Sequence, residues 1–226
     1  MNIPADHRRT VVVWDFPVRL FHWALVLLLV IAWSTAQAGL DWMRYHLYAG
    51  YGILGLILFR LMWGFVGSFH ARFAHFVAVP RSAWRYAADL ARGRHHAYLG
   101  HNPLGGYMVL LLLALVLVQV ITGLFASDDI LIEGPLAHTL AGRFSRFATA
   151  IHAVNVNVLI VAAALHVGAI AYHRWRFGEH LVTAMLTGRK TVASDEVPAQ
   201  TAVSVWRALA LSLLSAGLVA WIVTGF

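Results

Sequence analysis

Cysteine is absent from all 226 residues. That excludes disulfides, thiolate–metal centres, cysteine-bound iron–sulfur clusters and covalent c-type haem attachment. Charge is scarce as well, at 12% of residues against 60% hydrophobic, roughly half the charged share of a soluble domain. Acid is scarcest: 10 Asp and Glu face 17 Lys and Arg, and none of the acids falls inside a long apolar run. A transporter that relays protons or ions would want carboxylates or broken helices at the bilayer midplane, and neither is visible. Period-two alternation, fixed-period repeats and low-complexity tracts are also missing, which argues against a β-barrel and a repeat array.

What the chain does have is apolar length. A bilayer core of about 30 Å takes roughly 20 apolar residues as helix. Five stretches qualify, at about 17–38, 46–67, 104–126, 150–172 and 203–225. The expected fold class is all-α integral membrane: a four-helix transmembrane bundle with a fifth, peripheral helix. Residues 1–190 form the main domain, 191–202 a linker and 203–226 the additional span. With the N-terminus inside, the inner side collects Arg8, Arg9, Arg72, Arg81, Arg85, Arg92, Arg94, Arg174, Arg176, Arg189 and Lys190. The outer side holds only Arg44, Arg143 and Arg146, diluted by Asp41, Asp128, Asp129 and Glu133. The positive-inside rule selects this orientation, with the C-terminus outside. The net charge of +7 is then a topology signal near anionic lipid, not a nucleic-acid footprint.

Local signals mark the element ends. Asp15 and Pro17 open the first span, with Trp14 at the interface, and Asn102-Pro103 opens the third. "STAQAG" (34–39) resembles a cleavage site, but the preceding run is too long for a signal segment and carries Arg19 and His22, so it reads as a retained span. Two inner loops, 80–94 and 176–190, each read as a short amphipathic helix on the membrane surface. "TVASDEVPAQT" (191–201) reads as a flexible linker.

Of 13 histidines, His7, His70, His75, His95, His96, His101, His138, His173 and His180 fall in loops and read as solvated or headgroup-facing. Four lie in or at the edge of spans: His22, His46, His152 and His166. The last two are 14 residues apart in one helix, a rise of about 21 Å that returns within about 40° of the same face. By depth, His46 matches His152 at the outer level and His22 matches His166 at the inner level. One such histidine is explained by a backbone carbonyl or by snorkelling; four paired by depth across three helices suggest two stacked metal centres. A six-coordinate haem needs one imidazole on each side, and bundles build cofactor sites from facing helices. Without cysteine, such a haem is held non-covalently. Bare zinc fits less well, because no third ligand is evident at either level.

Neighbouring residues suit the same chemistry. Gly50, one turn after His46, leaves a flat patch for a macrocycle, and Gly52, Gly55, Gly106 and Gly123 either do likewise or allow close helix packing. Arg60 lies 14 residues after His46 and reaches the inner level with no intramembrane acid to pair with. A haem propionate would satisfy it, with Arg19 as a second partner and Arg44 for the outer propionates; snorkelling is the competing explanation. Gln119 and Thr122, or Trp14 and Arg19, could line a quinone site; helix packing explains them equally well.

"WDFPVRLFHW" (14–23), "RYHLYAGYGILGLILFRLMWG" (44–64), "GHNPLGGYMVL" (100–110) and the His152/His166 helix together resemble the bacterial cytochrome b561 family, which includes the b-type cytochrome subunit of nickel–iron hydrogenases. The resemblance covers residues 12 to about 190. It implies a four-helix core holding two b haems, with His22, His46, His152 and His166 as axial ligands: His22/His166 for the inner haem and His46/His152 for the outer. It also implies electron transfer in the bacterial inner membrane between quinone and a periplasmic partner, namely a hydrogenase, a cytochrome c or superoxide. Whether the chain acts as a quinone-linked oxidoreductase or only as an electron carrier stays open, and a homodimer is compatible with it. The acidic "ASDDILIEGPL" (126–136) would dock a basic partner, or is a solvated loop. The alternatives are a histidine-containing transporter or metal permease without haem, and a structural anchor.

Overall fold

The computed structural model describes residues 8–128, 132–193 and 204–225. Among the described residues, five helices are long and apolar enough to cross a membrane: α1 (Phe16–Gln37), α2 (Met43–Val66), α5 (Pro103–Phe125), α6 (Gly142–Phe177) and α8 (Val205–Thr224). Shorter helices α3 (Phe73–Phe76), α4 (Pro80–Ala91) and α7 (Leu181–Thr187) lie between them. This is the all-α membrane bundle expected from the apolar runs.

The starts of α1 and α5 follow from their capping residues. Asp15 accepts a hydrogen bond from the Val18 amide at 2.7 Å, and Asn102 accepts one from Gly105 at 2.7 Å. Each side chain satisfies a donor that the first helical turn leaves over, and the following proline already has a helical φ. α6 runs for 36 residues, about 54 Å at 1.5 Å per residue, so it overhangs a 30 Å core and carries its polar last turn beyond it. Gly178, at φ 71°, ends it in a left-handed cap.

α1 packs on α2, and α5 on α6, as two hairpins, with α2 also meeting α5. α6 makes far less contact with α1 and α2, so a space is left between the hairpins. α8 lies on the outside of α2, where Gly55 lets it approach, and only its Ser215 is buried. That agrees with a peripheral fifth span.

Two expectations about the loops change. The segment read as an amphipathic helix at 80–94 is α4, but 176–190 holds only the seven-residue α7. The start of the expected linker is a strand: β2 (Arg189–Ala193) pairs antiparallel with β1 (Arg8–Val12). The strands are far apart in sequence and are joined at one end of the bundle by the fold. The rest of the linker, 194–203, lies outside the described residues. The ribbon, α4 and α7 gather at one end, here termed the basic end; the α1–α2 and α5–α6 turns form the far end.

Candidate haem sites

At the far end the two hairpins face each other across a cavity of about 500 Å³, within the usual ~300–1,000 Å³ for cofactor and ligand sites. Its walls are almost wholly apolar, including Ala36, Ile53, Val120 and Leu159. His46 of α2 and His152 of α6, one from each hairpin, both line it. Their ring centroids are 6.0 Å apart. Two imidazoles on opposite sides of one metal, each bound through nitrogen at about 2 Å, need about this separation.

The orientation of each ring is fixed from behind. His46 Nδ1 lies 2.8 Å from the Ala32 carbonyl oxygen, and His152 Nδ1 lies 2.9 Å from that of Gln119. A carbonyl only accepts, so Nδ1 carries the proton in both rings and Nε2 keeps its lone pair. This is the usual arrangement behind a metal-ligating histidine. Asn155 steadies the second anchor by donating to Gln119 Oε1 at 2.7 Å and to the Leu115 carbonyl at 2.9 Å. Gln119, in turn, donates to the His152 carbonyl at 3.1 Å. Thr122 bonds mainly to the Val118 carbonyl, with a longer contact of 3.4 Å to His152 Nδ1.

Two glycines shape this site. A Cβ on Gly50 would meet no atom within 4 Å, and Gly50 lines the cavity, so a flat group has access to bare backbone there. A Cβ on Gly123 would lie 3.0 Å from His152 Cε1, so this glycine makes room for the ring. Gly52 and Gly106 serve packing instead, against Leu28 and the Phe76 backbone. Arg44 is exposed, donates to the Tyr45 hydroxyl at 2.8 Å and does not line the cavity.

At the basic end, His22 of α1 and His166 of α6 lie close enough to interact electrostatically. His22 Nδ1 is buried without a hydrogen-bond partner, and so are Arg19 Nε, Arg60 Nη1, Arg72 Nε and His101 Nδ1. Buried polar atoms are normally paired. The described residues thus concentrate their unsatisfied donors around this level, which suits a group bearing carboxylates. Arg60 is 3% exposed, with its guanidinium 5.2 Å from the Phe73 ring centroid and 5.9 Å from that of Phe76. Asp15 acts on it electrostatically and accepts from Trp63 Nε1 at 3.0 Å. An acid is therefore within electrostatic reach of Arg60, although none lies in the spans. Arg19 is partly engaged elsewhere, since its Nη1 donates to the Leu186 carbonyl at 2.5 Å.

The family profile of prokaryotic cytochrome b561 matches residues 13–188. The chain belongs to the prokaryotic cytochrome b561 family. It is a multi-pass membrane protein of this b-type cytochrome family. Among curated relatives, the probable Ni/Fe-hydrogenase B-type cytochrome subunit of Azotobacter vinelandii is 32% identical over 120 residues, 42% of this chain and 50% of the relative. The corresponding Rhodobacter capsulatus subunit is 22% identical over 229 residues, 87% of each chain. The probable Ni/Fe-hydrogenase 1 B-type cytochrome subunit of Escherichia coli K12 is 29% identical over 129 residues, 46% of this chain and 54% of the relative. The chain thus spans about half the length of the first of these relatives. No solved structure matches.

Two loop histidines of this b561 cytochrome depart from the solvated reading. His173 is buried. His101 packs its ring 4.6 Å from Trp14 and 4.9 Å from Phe76, with Nδ1 sealed off. Burial, with the charges of Arg60, Lys190, His70 and His166, pulls its pKa down to about 3, so the ring is neutral at pH 7. The one sequence signal was position: His101 immediately precedes the Asn102 cap of α5.

Proposed function

We propose that this cytochrome holds two b haems, stacked across the bacterial inner membrane, and connects the quinone pool to a periplasmic redox partner. The observation that carries the reading is the far-end pair. Two imidazoles from different hairpins lie edge-on in one apolar cavity with ring centroids 6.0 Å apart, each with Nδ1 tied to a carbonyl. A bound b haem supplies one-electron exchange between ferric and ferrous iron.

The protein's residues provide everything else. His46 and His152 would ligate the outer haem, with Gly50 admitting its face. His22 and His166 would ligate the inner haem, with Arg60 and Arg19 offering charge to its propionates and Arg44 a weaker outer counterpart. The apolar walls keep water from the metal and so help set the potential. The hydrogenase subunits among the relatives support a hydrogenase as the partner; a cytochrome c and superoxide are the other candidates. The basic end faces the cytoplasm and the far end the periplasm. Thr122 and Gln119 are occupied in holding His152 and α6, which leaves Trp14 and Arg19 as the better-supported border of a quinone site.

A reduced-minus-oxidised spectrum with haem quantification tests this. Two low-spin b haems per fully loaded chain are expected. One haem per chain would refute the stacked reading, and a colourless protein would favour the transporter or the anchor.

A further inference from the structure

Beyond the four histidines of the haem sites, a second group of metal-ligating side chains converges at the basic end. His173 stands just before the last turn of α6. The left-handed Gly178 then turns the chain back, and the Glu179 amide donates to the His173 carbonyl at 3.3 Å, which returns the Glu179 carboxylate over His173. His95 arrives from the α4–α5 connection, and its ring stacks on Phe177 with centroids 4.1 Å apart. One ligand atom from each of the three residues lies within 4.8 Å of the other two.

We propose that His95, His173 and Glu179 form a binding site for one divalent d-block cation of the Zn²⁺ class. Tetrahedral zinc with ligands at about 2.0–2.1 Å spaces neighbouring ligand atoms about 3.3–3.4 Å apart. His95 Nε2 is 3.6 Å from Glu179 Oε1, close to that spacing and long for a hydrogen bond. His173 Nδ1 is 2.8 Å from Glu179 Oε2, a hydrogen bond that the cation would replace. Two imidazoles and one carboxylate favour borderline ions such as Zn²⁺ over Mg²⁺ or Ca²⁺. Three protein ligands leave a fourth position for water, as in open zinc sites.

The surroundings agree. Burial, with Glu179 and Tyr98 nearby, pushes the Tyr86 phenol up to about 12, so it stays neutral. Lys190 spends its ammonium on the Tyr98 carbonyl at 3.0 Å, and Arg174 is bonded to His180 Nε2 at 3.0 Å. Neither cation is bonded to a ligand atom of the trio. A metal here would clamp the end of α6 to the chain entering α5.

The test is Zn²⁺ titration of the full, haem-loaded chain in detergent, followed by calorimetry and by metal analysis after dialysis. One saturable Zn²⁺ per chain is expected at micromolar concentration. His95→Ala and Glu179→Gln should each weaken binding at least tenfold, while His96→Ala leaves it unchanged. Glu179→Gln retains size and hydrogen bonding, which guards against mere misfolding. Zn²⁺ should also slow hydrogen exchange over residues 92–100. Absence of saturable binding, or equal affinity in the His95 and Glu179 variants, would overturn the site. Neither result depends on which histidines hold haem.

Discussion

Single atoms decide the chemistry at each level. A Gly50 side chain would project into free cavity, so Gly50→Leu should fold normally yet compete with whatever occupies the space. Gly123→Val would instead press on His152 and turn its ring from the Gln119 carbonyl. Both variants should lose about one haem per chain, and Gly123→Val should also lower the thermal stability of the haem-free chain. Full haem content in Gly50→Leu would remove that glycine from the site. His101 gives a pH signature. Its folded pKa, about 3, lies below the unfolded value near 6.5, so the unfolded chain binds the extra proton between them. The associated stability is complete above about pH 6.5 and falls away as pH drops toward 3, by about 2–3 kcal/mol at pH 4.5. Thermal unfolding at pH 7 and 4.5 should show this loss, and His101→Gln should flatten it. The four span histidines were legible in the sequence because depth and helical period are sequence properties. The burial of His101 and His173 was not. It arises because polar connections fold back over the helix ends, and no local pattern records that.

At the scale of elements, legibility followed locality. Asp15 and Asn102 announce α1 and α5 because a cap acts within three residues. The β1–β2 ribbon was hidden because each strand's partner lies at the other end of the main domain, so neither short strand shows which surface it covers. The far-end histidine anchors were hidden for a related reason: they are main-chain carbonyls of Ala32 and Gln119, whose residue type carries no signal. α8 was legible as a span and also as an outsider. It has no histidine, and it touches α2 through Gly55 and through Arg207, whose Nη1 donates to the Val66 carbonyl at 3.0 Å. In lipid, an apolar helix face loses little by exchanging a helix neighbour for acyl chains. Deleting residues 204–226 should therefore leave haem content and spectrum intact, with only a modest loss of thermal stability. Loss of either haem on deletion would make α8 part of the core.

The whole molecule is two hairpins joined at two heights, and that division predicts independence between the levels. His152 and His166 sit about 21 Å apart along one helix, yet each lies near a different partner: His46 of α2 at the far end and His22 of α1 at the basic end. The far-end pair is anchored by the Ala32 and Gln119 carbonyls, whereas His22 Nδ1 at the basic end has no hydrogen-bond partner. On the proposed two-haem reading, removing one ligand should cost one haem and leave the other in place. His22→Ala and His166→Ala should each eliminate the same spectral component and the same step in a redox titration. His46→Ala should eliminate the other, and His22→Ala combined with His166→Ala should lose no more haem than either alone. Spectra of the four variants, each with haem counted per chain, decide the matter. If His22→Ala and His46→Ala removed the same component, the pairing by height would be wrong, and the cavity between the hairpins would have to hold its ligands in a different combination.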